Sequence, residues 1–137
     1  MNINFVTVLW AAILQFIFGA VWYSAFFGKL WGRIHGFDKL TKEVQMKMMK
    51  SMGPIYVVQF LITVVTTFVL AIFMAYQPEW NAYAMAGFIW IGFIVPTQIS
   101  GVLFGGTEPK WIVKKIAIQA FCSLFCLEIA ALLLSFR

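Results

Sequence analysis

Four apolar stretches, each long enough to cross the hydrocarbon core of a bilayer, set what this chain can fold into. They cover residues 3–27, 54–76, 83–104 and 112–136, and the first three contain no Asp, Glu, Lys or Arg. A spanning helix needs about 20 mostly apolar residues. Backbone polar groups have no water to turn to inside lipid. Runs of this length therefore favour helices over barrel strands of roughly ten alternating residues. The expected fold is all-α, an integral membrane four-helix bundle forming a single domain over residues 1–137.

Composition supports lipid as the solvent. The chain is 63% hydrophobic and 11% charged, against about 45–50% apolar and 25% charged in soluble domains. A soluble domain of this size buries only about two-thirds of the surface its unfolded chain exposes, too little for such a surplus. The net charge of +5 could suggest nucleic acid. The basic residues, however, sit in two short loops between apolar runs, where they act as topology signals, so no nucleic-acid partner is expected. The Met-Asn-Ile-Asn start has no basic region, and no small-residue cleavage site follows the first run. That run is expected to stay as a membrane anchor.

The loops predict an orientation. Residues 28–53 hold Lys29, Arg33, Lys39, Lys42, Lys47 and Lys50 against Asp38 and Glu43. Residues 105–111 hold Glu108 and Lys110, with Lys114 and Lys115 opening the last run. The turn at Pro78 has only Glu79. Positive loops stay in the cytoplasm, which places both termini outside a cytoplasmic (inner) membrane; Arg137 alone dissents. Trp31 and Trp111 would mark the inner interface, and Trp80 and Tyr83 the outer one. Trp10 and Trp90 fall deeper.

Within the first loop, Leu40, Val44, Met48 and Met52 recur every four residues, with Lys42, Lys47 and Lys50 elsewhere on the wheel. This pattern predicts a short amphipathic helix on the inner leaflet, where lysines meet anionic headgroups. A solvated linker with chance periodicity and a methionine grip on a partner are the alternatives. The first and third runs both end in Phe-Gly, at Phe27-Gly28 and Phe104-Gly105, and each is followed by Lys and Trp. Two parallel two-helix hairpins, or shared boundary chemistry alone, would produce this echo.

Glu128 is the sharpest candidate for chemistry. A charge at mid-membrane costs about 2.5–3.5 kcal/mol on insertion scales, and no Lys or Arg lies within reach in the spans. It reads either as a proton- or cation-linked site or as a neutral acid bonded to a neighbouring helix. Gln15, Gly19 and Trp22 share one face of the first helix. Gln59, Thr63, Thr66 and Thr67 cluster on the second, Thr97, Gln98 and Ser100 on the third, and Gln119 and Ser123 on the fourth. They are expected to face the bundle interior, through interhelical hydrogen bonds or around a shared polar cavity. Pro96 removes a backbone donor and presses on the Gly92 carbonyl, predicting a kink that is structural or lines a site. Cys122 and Cys126 share a helical face but lack the further ligands a metal needs, and His35 is the sole histidine. No nucleotide-binding glycine loop or nucleophile elbow is present. No catalytic residue, metal or cofactor is expected, and an enzyme is not.

The segment Gly19-Ala20-Val21-Trp22-Tyr23-Ser24-Ala25-Phe26-Phe27-Gly28-Lys29-Leu30-Trp31 resembles the signature of a bacterial membrane family, the domain-of-unknown-function family numbered 1761. That family is similar in length, in its four spans, and in a Trp-Tyr-Ser-Pro segment leading to Phe-Gly-Lys and Trp. Ala25 stands where the proline is usual. Gly92-Phe93 with Pro96, then Leu103-Phe104, is similar to the family's third span, and Gly105 to Lys110 is an altered form of its Leu-Phe-acid-Gly-Arg-Pro ending. The resemblance covers most of the chain and implies a four-span fold. It implies no activity, and no acid at position 128 belongs to the pattern.

The functional expectation is a non-enzymatic module that binds or transports a small apolar or amphipathic molecule. Trp22, Tyr23 and Trp90 would form its aromatic pocket, with Gln15, Pro96 and Glu128 supplying polarity. The rival is a structural or accessory subunit without a ligand. Small-residue faces at Ala12, Gly19, Ala20, Ala86, Gly87 and Gly92 suggest a homo-oligomer.

Overall fold

The computed structural model describes residues 2–136; Arg137, the dissenter in the orientation argument, lies outside them. Helix α1, Phe5–Val21, is capped by Asn4, whose side-chain oxygen accepts from the Val6 and Thr7 amides. It runs on as a π-helical turn, Trp22–Phe26. Helix α2, Gly28–Ile34, follows a break at Phe27 (φ −121°, ψ 10°). Gly28 thus opens a second helix rather than simply ending the first. Gly36, at φ 71°, supplies the left-handed turn that leads out of α2.

The amphipathic segment of the first loop is helix α3, Lys42–Ser51, with Thr41 as its cap. Its methionines Met46, Met48 and Met49 are exposed. Helix α4, Gly53–Tyr76, carries Pro54 in its first turn, where a missing amide hydrogen costs nothing. Asn81 caps α5, Ala82–Ile89, as Asn4 caps α1. A second π-helical turn, Trp90–Ile94, joins α5 to α6, Val95–Phe104. Helix α7, Ile112–Ser135, completes the chain. Four of the resulting helical rods are long and apolar enough to span a membrane: Phe5–Phe26, Gly53–Tyr76, Ala82–Phe104 and Pro109–Ser135.

Pro96 lies just past the second π turn. It has no amide hydrogen, and its ring would press on the Gly92 carbonyl. The helix widens just before it, and the Val95 amide donates to the Trp90 carbonyl five residues back. The first π turn has the same bond, Phe27 N–H to Trp22 O at 3.0 Å, yet contains Ala25 and no proline. Both turns begin at a tryptophan. They stand at different distances from the Phe-Gly segments, so the echo between the two rods is not carried in register.

Helices α1 and α7 form the central contact, with α4 against α1 and the α5–α6 rod against α7. Two helical hairpins are thus joined through α1 and α7. The core gathers at the end of the bundle that holds the chain termini. There Leu127, Ala130, Ala131 and Leu134 form one stripe of α7 and meet Val8 and Ala11 of α1. Leu70, Ala71 and Met74 of α4 and Met85 and Ala86 of α5 complete it. Lipid gives helices little hydrophobic reason to associate, so the close approach allowed by the five core alanines matters more than bulk. Ala12 and Ala86 are fully buried within the chain, which removes them from the predicted subunit face.

At the opposite, lysine-rich end the bundle opens. Ile55, Tyr56, Val57, Val58, Leu61 and Ile62 of α4 are each between 53% and 60% exposed, so little of this half is covered beyond the Phe60 ring, which meets Phe16 of α1 edge-on at 5.7 Å. Gln59, expected in the interior, is exposed for the same reason. Several other polar residues do not bridge helices either. Thr63, Thr66 and Thr97 each donate to the carbonyl four residues back in their own helix. That bond satisfies a hydroxyl without a neighbour and leaves it free to face lipid.

Candidate functional site

Of the six residues singled out in the sequence, Gln15 is the most deeply placed, at 4% exposed. Its side-chain nitrogen donates to the Thr67 hydroxyl at 2.6 Å and to the Ala11 carbonyl at 3.1 Å. Thr67, fully buried, donates in turn to the Thr63 carbonyl. On the backbone side, the Cys126 thiol lies 3.7 Å from the Gln15 carbonyl. Gln15 is therefore a junction between α1, α4 and α7, not an open polar wall.

Trp22 and Trp90 both bind α7. The Trp22 indole N–H donates to the Ile118 carbonyl at 3.1 Å. That of Trp90 donates to the Ala120 carbonyl at 2.8 Å and to the Ser123 hydroxyl at 3.2 Å. Residues two apart on a helix are about 200° apart around it, so the two indoles grip α7 from nearly opposite sides. Gln98 Oε1 lies 3.4 Å from the Ser123 hydroxyl and extends the second grip to α6. Phe18, Phe27 and Phe125 surround the Trp22 ring. The Tyr23 ring meets Trp31 at 4.7 Å, and its hydroxyl is hydrogen-bonded to the Cys122 thiol of α7.

Pro96 is exposed on the surface of its rod. Glu128 is part-exposed, and its Oε1 lies 4.0 Å from where a Cβ on Gly87 would sit. It makes no hydrogen bond or ion pair with any described residue. Trp22, Tyr23 and Trp90 are thus all brought to α7 by their side chains, and Gln15 meets it through its backbone carbonyl, while Pro96 lies exposed on its own rod and Glu128 is unbonded among the described residues.

Two cavities lie elsewhere, along the contact of α1 with α4. One, of about 360 Å³, is wholly apolar and is lined by Phe5, Val8, Leu9, Val64, Val65 and Phe68. The other, of about 240 Å³, is lined by Asn2, Ile3, Asn4, Thr7, Ala71, Ala75 and Leu134. On α4, Val64, Phe68, Ala71 and Ala75 follow at spacings of four, three and four, one continuous ridge. The second cavity therefore succeeds the first toward the chain termini and adds the amides of Asn2 and Asn4 and the Thr7 hydroxyl. The larger is an open groove rather than an enclosed pocket, since Phe5, Leu9 and Val65 on its walls are 68%, 47% and 62% exposed. None of the six sequence candidates lines either cavity. Branched and aromatic residues such as Val64, Val65 and Phe68 look like ordinary lipid-facing positions in the sequence. Only the crossing of two helices turns them into a groove.

Among the described residues no three His, Cys, Asp or Glu side chains gather as a metal site would require. No curated protein and no solved structure matches the chain. A family match does exist and spans residues 6–135, nearly the whole chain: the protein belongs to the family described as Protein of unknown function (DUF1761).

Proposed function

We propose that this protein is a non-enzymatic membrane module that binds a single-chain amphipathic molecule between α1 and α4. The observation that carries the reading is the succession of the two cavities. An apolar groove at Phe5, Val8, Leu9, Val64, Val65 and Phe68 leads to a polar-rimmed one at Asn2, Asn4 and Thr7. An acyl or prenyl chain would lie in the first and a small polar head in the second. This reading moves the ligand away from Trp22, Tyr23, Trp90, Pro96 and Glu128 and leaves them the work of holding the bundle. The lysine-rich end faces the cytoplasm by the positive-inside rule, which puts the polar cavity at the external surface of the inner membrane. The open half of α4 near Gln59 is where a second copy would pack in a homo-oligomer.

The test is binding of a fluorescent fatty acid to the purified protein in detergent. Val65→Trp fills the groove and should lower affinity at least about tenfold, as expected when the apolar wall that would hold the chain is occupied. Val113→Trp, on an exposed position of α7 far from the groove, should leave it unchanged. Equal binding by wild type and Val65→Trp refutes the assignment.

One observation favours a second reading, an accessory subunit without a ligand. The polar side chains of Gln15, Thr67, Trp22, Trp90 and Ser123 all bond within the chain. Failure of the wild type to bind any amphipathic probe would select it.

A further inference from the structure

The fold joins two basic segments that are far apart in sequence. Nine of the ten basic residues, against three of the five acidic ones, lie in residues 28–53 and 105–115. Lys115 reaches from the start of α7 to the α2 segment. Its ammonium lies 5.9 Å from the centre of the Trp31 ring and 3.4 Å from the Thr107 hydroxyl. Lys110 and Lys114 flank the Trp111 ring at 5.5 and 5.2 Å.

Among the described residues, one ion pair forms in this cluster. Glu108 pairs with Lys110 at 3.0 Å, which leaves Lys114 and Lys115 without a carboxylate. The first turn of α7 contains no acidic residue either. Lysines at that end of a helix are disfavoured by its dipole, so among the described residues no ion pair offsets the charge of Lys114 and Lys115. Two indoles beside them mark the depth of lipid headgroups, where tryptophan settles.

We propose that this surface, built from Trp31, Thr107, Trp111, Lys114 and Lys115, holds the phosphate headgroup of an anionic bilayer phospholipid. The ammonium groups would meet the phosphodiester, the Thr107 hydroxyl would donate to one of its oxygens, and the indoles would lie against the glycerol and upper acyl chain. Lysines near an anionic surface each add to such attraction, and basic pockets beside spanning helices recruit acidic headgroups. The site lies at the opposite end of the bundle from the α1–α4 groove and does not depend on it.

Native mass spectrometry of the protein released from micelles containing equal phosphatidylglycerol and phosphatidylcholine tests this. Wild type is expected to retain phosphatidylglycerol preferentially, by about fivefold for each contributing lysine. Lys114→Gln with Lys115→Gln should bring retention to parity. Lys42→Gln with Lys50→Gln removes the same charge from α3 and should leave the preference standing. Equal retention of both lipids by wild type overturns the proposal. So does an α3 pair that erases the preference as fully, because the attraction is then diffuse. Displacement by millimolar inorganic phosphate would mean a free-anion site, and a lipid-free dimer lost with Lys114→Gln and Lys115→Gln would mean a second copy; either overturns it. If that pair does not fold, Lys114→Gln alone decides: a preference lowered severalfold upholds the headgroup site, and an unchanged one overturns it.

Discussion

Gln15 and Thr67, 52 positions apart in sequence, meet with the amide nitrogen 2.6 Å from the hydroxyl in a fully enclosed part of the bundle. Each partner has a second bond of its own, Gln15 to the Ala11 carbonyl and Thr67 to the Thr63 carbonyl. Gln15→Leu or Thr67→Val alone therefore strands no polar group. A double-mutant cycle isolates the pair, and its coupling should fall near 0.6 kcal/mol and below about 1.7 kcal/mol, the span found for interhelical bonds in membranes. Reversible unfolding in bicelles gives the number. Zero coupling would show that α1 and α4 are held by packing alone.

The two π turns separate the influence of proline from that of tryptophan. The turn at Trp90–Ile94 precedes Pro96, whereas the turn at Trp22–Phe26 forms around Ala25. What they share is an indole bonded to α7. Pro96→Ala is therefore expected to keep the second turn and to alter stability by less than about 1 kcal/mol, given that Pro96 lies exposed. Trp90→Phe should cost more, about 1–2 kcal/mol, because it removes bonds to both Ala120 and Ser123. Amide hydrogen exchange across residues 90–96 distinguishes the two. Faster exchange in Pro96→Ala than in Trp90→Phe would reverse the roles assigned here.

The elements of the fold were legible because they follow from length and period. Uninterrupted apolar runs mark the four rods, and the four-residue recurrence from Leu40 to Met52 marks α3. The burial of individual residues was not legible. Gln59 and Thr67 look alike as polar positions, yet Thr67 is enclosed and Gln59 is exposed, because Phe60 rather than Gln59 takes the face of α4 that meets α1 at that level. Polarity and aromaticity, which mark a candidate site in the sequence, are used in lipid first to join helices; hence Gln15, Trp22 and Trp90 carry interhelical bonds. The groove at Val64, Val65 and Phe68 was invisible for the converse reason. It is a gap between apolar side chains, and its existence depends on how α1 crosses α4.

Glu108 gives a pH signature at the lysine-rich end. The hydrogen bond from Lys110, then its charge, holds this carboxyl below its ordinary value of 4.5. A lowered native pKa means that the contact contributes stability above the unfolded-state value and loses it as pH falls through the native value. Lys110→Gln should move the titration of Glu108 back upward. Carbon-13 NMR of the labelled carboxyl follows the shift directly. An unchanged midpoint in Lys110→Gln would mean that solvent, not Lys110, sets the charge of Glu108.

Glu128 makes the most demanding prediction. It lies seven residues before the end of α7, roughly 10 Å along the helix. Its carboxyl rests beside Gly87 and has no hydrogen-bonding partner among the described residues. An acid in that position opposes insertion by up to about 2.5–3.5 kcal/mol at the membrane centre and by less toward the interface. In the dispersed monomer, Glu128→Leu should therefore raise stability by about 1 kcal/mol or more, and Glu128→Gln by a smaller amount. Gly87→Ala should change little, since the added methyl would stand at ordinary contact distance, 4.0 Å from Oε1. Unfolding of the monomer in detergent checks all three. If Glu128→Leu instead destabilises the monomer, the carboxyl is bonded inside the chain. If it stabilises the monomer but abolishes self-association measured in lipid bilayers, the partner that justifies an acid at this depth is a second copy of the chain.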